Sequence, residues 1–422
     1  MSKRTLILTA GSRGDVQPYL ALAKGLQQEG FAVTLSTDST FSEWVISQGV
    51  KVAPIRAPFA QMMQTDAGRA ALAGQKSFNL KQIKRLLRQM MDDAWKVAQQ
   101  VNPDLIIYHP KPLAGYHIAD KLGIPGILAV ALPLYSPTGD FSSPILGGGD
   151  YGSLLNRLSH TLFLKASLLP YRGFINHWRK EQLDLPPFRD ELTLRGHPIP
   201  ILYAYSSAVL PIPNDWNNQA TVTGYWCLDA DAAWQPPSDL AAFLAEGDAP
   251  VYVGFGSMAA QDASQTTALI LDAVRQSNRR AILATGWGGL SASEISEVLE
   301  VSKVSENIYM LKHAPHDWLF PQCSAVVHHG GAGTTGAGLS AGKPTVICPF
   351  FGDQPFWGKQ IHRLGVGPKP IPQKQLSADS LGQAIQAAVS DARMREKAEL
   401  LGQKIRSEDG VAQAVAIVKQ WL

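Results

Sequence analysis

The sequence predicts an α/β chain built as two parallel-sheet domains that face each other across a cleft. Three observations carry this expectation: short apolar, β-branched runs that end in Gly or Pro, helical segments between those runs, and a restart of the whole pattern near residue 250. A length of 422 residues allows two domains of about 200 residues each. The composition is 45% hydrophobic and 17% charged, with no low-complexity tract, which excludes a disordered, fibrous or coiled-coil chain.

The elements follow in order. Thr5–Thr9 reads as a first strand that ends in the loop AGSRGD. The segment VQPYLALAKGLQQEG then places Leu20, Leu22, Ala23 and Leu26 on a helix that Gly30 ends. FAVTLST is the second strand, and further strands are expected at Val50–Ile55, Asp104–Tyr108, Gly126–Val130 and Ile201–Tyr205. Residues 206–248, with PIPNDWNN and WQPPSD, have little periodicity and read as a connection between domains. The pattern resumes with PVYVGFGSM, a helix over Ser264–Gln276, and the strands AILATGW, ENIYML, SAVVHHG and PTVICPF. The tail from Ser377 is helix-favouring, and VAQAVAIVKQWL is apolar on more than one side. The expected division is residues 1–215 for a first domain, 216–390 for a second, and 391–422 for helices that pack back across the first.

Charge and cysteine content narrow the function classes. Lys and Arg total 38 against 35 Asp and Glu, and a net charge of +3 is too small to argue for nucleic acid. Cys227, Cys323 and Cys348 are far apart and odd in number, so neither a disulfide framework nor a thiolate metal cluster is expected, and a reducing cytoplasm is the default compartment. The amino end has only a short apolar run before glycine and charge intervene, and reads as a strand rather than a leader. Pro125–Tyr135, the longest strongly apolar stretch, is roughly half of the ~20 residues a membrane-spanning helix needs. Attachment to a membrane surface stays open.

Three constellations could carry chemistry. In Gly11-Ser12-Arg13-Gly14-Asp15-Val16-Gln17-Pro18, the glycines permit a tight turn and Asp15 falls near a helix start, facing the cleft; it is either a catalytic carboxylate or an N-cap. In Val326 to Gly338, a β-branched strand runs through His328 and His329 into the turn Gly330-Gly331-Ala332-Gly333-Thr334-Thr335 and a helix. Amide hydrogens and the positive helix end then point at the cleft, an arrangement suited to phosphate, with close helix-to-sheet packing as the alternative. A metal at the adjacent histidines is a poorer reading, because side chains diverge on a strand and Asp353 is the one obvious third ligand. The third constellation is Pro349 to Trp357, where Asp353 and Gln354 beside aromatics suit either sugar hydroxyls or turn capping. Weaker signals are Gly254–Ser257 and Gly286-Trp287-Gly288 at two strand ends, and His313-Ala314-Pro315-His316 in a loop that could meet a base edge.

Taken together, HHGGAGTTGAGLSAGKPTVICPFFGDQPFWG and GSRGDVQP resemble the family 1 glycosyltransferases of the GT-B fold, most closely the sterol 3β-glucosyltransferase branch. The resemblance spans almost the whole chain. It implies two Rossmann-like domains, the first binding the acceptor and carrying Asp15 as base, the second binding UDP-glucose. His313 and Ala314 would lie near uracil. Ser257, Trp287 and the run Gly331, Ala332, Gly333, Thr334 would line the nucleotide and its diphosphate, with His328 or His329 on a phosphate oxygen and Asp353 with Gln354 on glucose hydroxyls. Plant small-molecule relatives carry a histidine base where this chain has Asp15, so the familiar His-Asp dyad is absent and a late proton transfer is implied. The implied reaction is an inverting displacement on UDP-glucose by a sterol hydroxyl, with the departing diphosphate stabilised by the helix start rather than by an obligatory metal. Glycosylation of another hydrophobic alcohol, such as a polyketide or terpenoid, and a non-catalytic nucleotide-sugar-binding protein are the alternatives.

The acceptor side falls on residues 59–96 and 135–200. Leu80, Ile83, Leu87 and Met90 with Lys81, Lys84, Arg85 and Arg88 form a basic amphipathic helix, and Tyr151–Lys180 contains five Lys or Arg residues and no acid. Either is compatible with peripheral contact to an anionic membrane or with a soluble acceptor wall.

Overall fold

The computed structural model describes residues 2–57, 80–229, 234–255, 263–284 and 307–422. In the first lobe the elements are β1 (Arg4–Leu8), α1 (Arg13–Gln28), β2 (Ala32–Ser36), α2 (Ser42–Ser47), β3 (Lys51–Val52), α3 (Leu80–Val101), β4 (Leu105–Tyr108), α4 (Gly115–Leu122), β5 (Gly126–Val130) and α5 (Ser153–Trp178). A short hairpin, β6 (Thr193–Leu194) and β7 (His197–Pro198), then leads to β8 (Ile201–Tyr203) and β9 (Ala220–Val222). The second lobe contains α6 (Ser238–Ala245), β10 (Val251–Gly254), α7 (Ala263–Ser277), β11 (Ala281–Ala284), β12 (Ile308–Leu311), α8 (His316–Leu319), β13 (Ala325–His328), α9 (Ala332–Ser340), β14 (Thr345–Ile347) and α10 (Gln354–Leu364). Three helices end the chain: α11 (Ala378–Ser390), α12 (Ala392–Arg406) and α13 (Gly410–Gln420).

Two parallel sheets result, in the orders β3-β2-β1-β4-β5-β8-β9 and β12-β11-β10-β13-β14. Helices on both faces bury the strands, which is why β1, β4 and β13 are buried along their length rather than at alternate positions. In each sheet the chain moves outward from a central strand and then returns to that strand's other side: β1 lies between β2 and β4, and β10 between β11 and β13. The loops above β1 and β4, and those above β10 and β13, diverge at these reversals and leave a crevice where open α/β sheets receive ligands.

One segment departs from the sequence expectation. The stretch read as a connection contributes β9, whose register with β8 pairs Ile201 with Ala220 and Tyr203 with Val222 at the sheet edge. Three residues are too few to show a period, so the strand was not visible. The final helices tie the lobes together: α12 packs on α9, and α13 lies along α1. Val411 and Val415 of α13 press against Gly25, and Lys419 pairs with Glu29. One apolar core runs from the first sheet into α10, where Phe356 and Trp357 are fully buried and the ring of Trp357 lies 6.1 Å from that of Tyr205.

Candidate active site

Asp15 is the third residue of α1, and the turn before it is built to admit its carboxylate. Gly11 sits at φ +139°, and a Cβ there would fall 2.2 Å from Asp15 Oδ2. Ser12 is the N-cap, and its backbone N–H (2.7 Å) and hydroxyl (3.0 Å) both donate to Oδ2. This is a capping box, with Asp15 as its third helical residue rather than as the N-cap itself. The other oxygen, Oδ1, accepts from Lys111 Nζ at 2.5 Å. Burial pushes the Asp15 carboxyl up, but the Lys111 ammonium, His109 and the Ser12 N–H together outweigh it and hold the group below the usual carboxylate range.

Lys111 and His109 belong to the loop after β4, the strand beside β1. Lys111 N–H donates to His109 Nδ1 (3.0 Å), which requires that nitrogen to be unprotonated. Burial, with Lys111 adding, takes His109 down to about 3, so its ring is neutral near neutral pH. Neither residue is marked by a sequence motif. The one available signal was their place at the end of the strand neighbouring β1, which becomes informative only once the strand order is known.

Across the cleft, β13 ends at His328, fully buried, whose Nδ1 accepts the Gly330 N–H at 2.9 Å and whose Nε2 has no partner among the described residues. The ring of His329 meets that of His328 edge to face, at 79° with centroids 5.9 Å apart, and its Nε2 lies where a Cβ on Gly331 would approach to 2.6 Å. Both rings are held neutral. Burial takes His329 to about 4, while burial followed by its histidine neighbours takes His328 well below its ordinary value. Gly331 caps α9, and the first hydrogen bond inside that helix is Thr335 N–H to Gly331 O at 2.9 Å. The amides of Ala332, Gly333 and Thr334 therefore precede the helical ladder, and space beyond Gly333 is open.

Asp353 N-caps α10 but does not cap with its side chain; Oδ2 instead accepts from Trp357 Nε1 at 3.0 Å. Burial, with the charge of Asp15 adding, lifts Asp353 to about 6, which places the two carboxyls within electrostatic reach across the cleft. Gln354 is buried, and its Oε1 accepts the N–H groups of Phe350 (2.7 Å) and Phe351 (3.2 Å), so this oxygen closes the turn. His313 Nε2 lies 2.7 Å from Arg13 Nη1, linking the lobes, and the Arg13 guanidinium sits 4.5 Å over the Trp44 ring. Ala314 is buried beside it, and His316 stacks on Phe320 at 4.3 Å. Ser257 and Trp287 lie outside the described residues.

The described residues thus gather Asp15, Lys111 and His109 at one switch point, and His328, His329 and the start of α9 at the other, with Asp353 within electrostatic reach of Asp15 and Lys111. No group of three or more His, Cys, Asp or Glu side chains is placed to hold a metal among the described residues. The arrangement offers an anion-binding helix start, a carboxylate at a helix amino end, and a second carboxyl able to bond hydroxyl groups.

Residues 5–137 match the glycosyltransferase family 28 N-terminal domain, and residues 291–419 match the erythromycin biosynthesis protein CIII-like C-terminal domain. The chain is 38% identical over 422 residues to a sterol 3-beta-glucosyltransferase of Debaryomyces hansenii, covering 98% of this chain and 26% of that protein. It is 35% identical to a sterol 3-beta-glucosyltransferase of Arabidopsis thaliana, covering 97% of this chain and 64% of that protein. It thus spans less than two thirds of the length of either relative. Among solved structures, a glycotransferase of kitacinnamycin superposes with a TM-score of 0.71 at 18% identity, over 100% of both chains. The chain belongs among the GT-B-fold glycosyltransferases and is closely related to the sterol 3-beta-glucosyltransferases.

Proposed function

We propose that this protein transfers glucose from UDP-glucose to the hydroxyl of a sterol or sterol-like lipid, with inversion at the anomeric carbon and Asp15 as general base. The observation that carries this reading is that α1, which bears the Asp15 carboxylate in its first turn, packs on α9, whose first amides are unladdered; one group suits an acceptor proton and the other a departing diphosphate. Its likeness to sterol 3-beta-glucosyltransferases over nearly the whole chain points to the substrate pair. In this reading His329, rather than the internally bonded His328, meets a phosphate oxygen, because its Nε2 lies against Gly331 at the helix start. Asp353 accepts glucose hydroxyls, and Gln354 shapes the turn that holds it. His313 and Ala314 border the base, and the diphosphate leaves without an obligatory metal.

The test combines an acceptor screen with a base variant. UDP-glucose and UDP-galactose are each offered with sterols, hydroxylated lipids and aromatic alcohols, and products are detected by mass. Sterol glucosides are expected as the dominant product, and Asp15→Asn is expected to lower kcat by about 10²–10⁴-fold with UDP affinity unchanged. Preferential turnover of polyketide-like or terpenoid alcohols would replace the sterol, and native turnover by Asp15→Asn would remove the base.

We also infer an anionic membrane as the surface from which the acceptor is taken. In α5, Leu154 is 80% and Leu169 72% exposed, and Leu155, Leu158 and Leu162 are exposed with them, next to Lys165. Helix α3 is a weaker candidate: Leu87, Met90 and Met91 are buried in the core, and Arg88 pairs with Asp92 and Glu181.

A further inference from the structure

We infer that Lys111 is the positioning residue of the catalytic base, holding the Asp15 carboxylate ionised and in a single orientation toward the acceptor. This rests on the reading of Asp15 as base and explains how a carboxylate can serve there without a histidine partner.

The geometry is specific. Ser12 occupies Asp15 Oδ2 with two donors, so rotation of the carboxylate is fixed from the helix side. Lys111 Nζ, 2.5 Å from Oδ1, fixes it from the neighbouring strand. An ionised carboxylate oxygen has more than one acceptor direction, so Oδ1 can take an acceptor hydroxyl while it keeps the ammonium. The loop that delivers Lys111 is braced: His109 N–H donates to Leu8 O (2.8 Å), Lys111 N–H to His109 Nδ1 (3.0 Å), and Leu113 N–H to Pro110 O (3.0 Å). Gly11 leaves room for both partners, since a Cβ there would lie 2.9 Å from Lys111 Nζ as well as against Asp15.

The charged and titratable groups around Asp15 make Lys111 the deciding one. His109, on the same loop, is neutral near neutral pH through burial and lowers Asp15 less than Lys111 does. Tyr19, on α1, donates its hydroxyl to Ala129 O and stays protonated. Burial favours a neutral Asp15, while Asp353, from the other lobe, is itself raised by burial and by the charge of Asp15. Lys111 is the cation that opposes these effects. It does so at a cost to basicity, which fits a proton transfer that comes late: the acceptor oxygen bonds to the anomeric carbon, the bond to the diphosphate breaks with its electron pair leaving on UDP, and the acceptor proton passes to Asp15.

The experiment compares the native protein with Lys111→Met, Lys111→Arg and Asp15→Asn. Lys111 is 44% exposed, so the apolar replacement is tolerated by the fold. The acid limb of kcat/KM in Lys111→Met should move up by about one pH unit, with the donor KM within about twofold of native, while Lys111→Arg keeps the native limb. A second readout needs no turnover: the ¹³C carboxyl titration of Asp15 in Asp-labelled protein, its resonance identified by disappearance in Asp15→Asn, should shift upward in Lys111→Met alone. A titration in Lys111→Met that coincides with native overturns the role of Lys111, even where Asp15→Asn is inactive. Native turnover by Asp15→Asn instead overturns the base reading on which it stands.

Discussion

Asp353 shows how one buried carboxyl can make substrate binding depend on pH. Burial first, and the facing Asp15 second, raise it to about 6 against its own backbone N–H, the Trp357 indole N–H and the charge of Lys111. Below that pH the group is a neutral acid with a donor of its own. Above it the carboxylate accepts from several hydroxyls at once. If it holds glucose, UDP-glucose affinity should rise as pH increases through about 6, whereas UDP affinity should follow only the titration of UDP's own terminal phosphate, alike in native protein and variant. Titration calorimetry with both ligands on native protein and Asp353→Asn checks this, and the variant should lose the dependence. His329 does not confuse the result, because burial keeps it neutral down to about 4. Asp15, His328, His329 and Asp353 were legible in the sequence because glycine turns and strand ends mark them. Lys111 and His109 were not, because what makes them matter is a neighbouring strand 96 residues from Asp15 along the chain.

At the scale of elements, helix starts and exposed faces divide the work. α9 begins with small residues, Ala332 and Gly333, so nothing on its first turn blocks approach to its amides. α5 is the reverse case, a 26-residue helix with few buried positions: Asn156, His160, Ile175 and Trp178. Its sequence is apolar, yet its leucines face outward, and helical apolarity alone does not say whether a face meets core or lipid. Replacing Leu154 and Leu158 by Glu should abolish co-sedimentation with phosphatidylserine-containing vesicles while UDP affinity stays native. Vesicle binding by the native protein is the prerequisite, and its absence would defeat the membrane reading. α3 carried the same signal in sequence, but its leucine and methionine stripe packs inward and its Arg88 is neutralised by Asp92 and Glu181.

The whole molecule is closed by contacts that no local pattern encodes. α13 lies along α1, the helix that carries Asp15, at a point where only a glycine fits: a Cβ on Gly25 would come 2.3 Å from Val411 and 3.3 Å from Val415. Gly25→Val should cost about 1–3 kcal/mol by overpacking, lowering Tm by several degrees in a thermal melt. A variant as stable as native would show that α13 is not seated there. Between the lobes, Phe356 lies against Gly148, Lys359 donates to Gly147 O at 3.0 Å, and Arg13 meets His313. These contacts bring Asp15 and Asp353 within reach of each other.

By itself, the sequence determined that this chain forms two parallel-sheet lobes, where their strands end, and which glycine turns lie at those ends, because strand runs, helix stops and turn residues are local signals of backbone geometry. Only the tertiary structure decided that Lys111 meets Asp15, that Gln354 spends its oxygen on its own turn, that the rings of His328 and His329 meet edge to face, and that α5 turns its leucines outward. Each of these depends on which strands become neighbours and which helix face is covered, and those are properties of packing between distant segments.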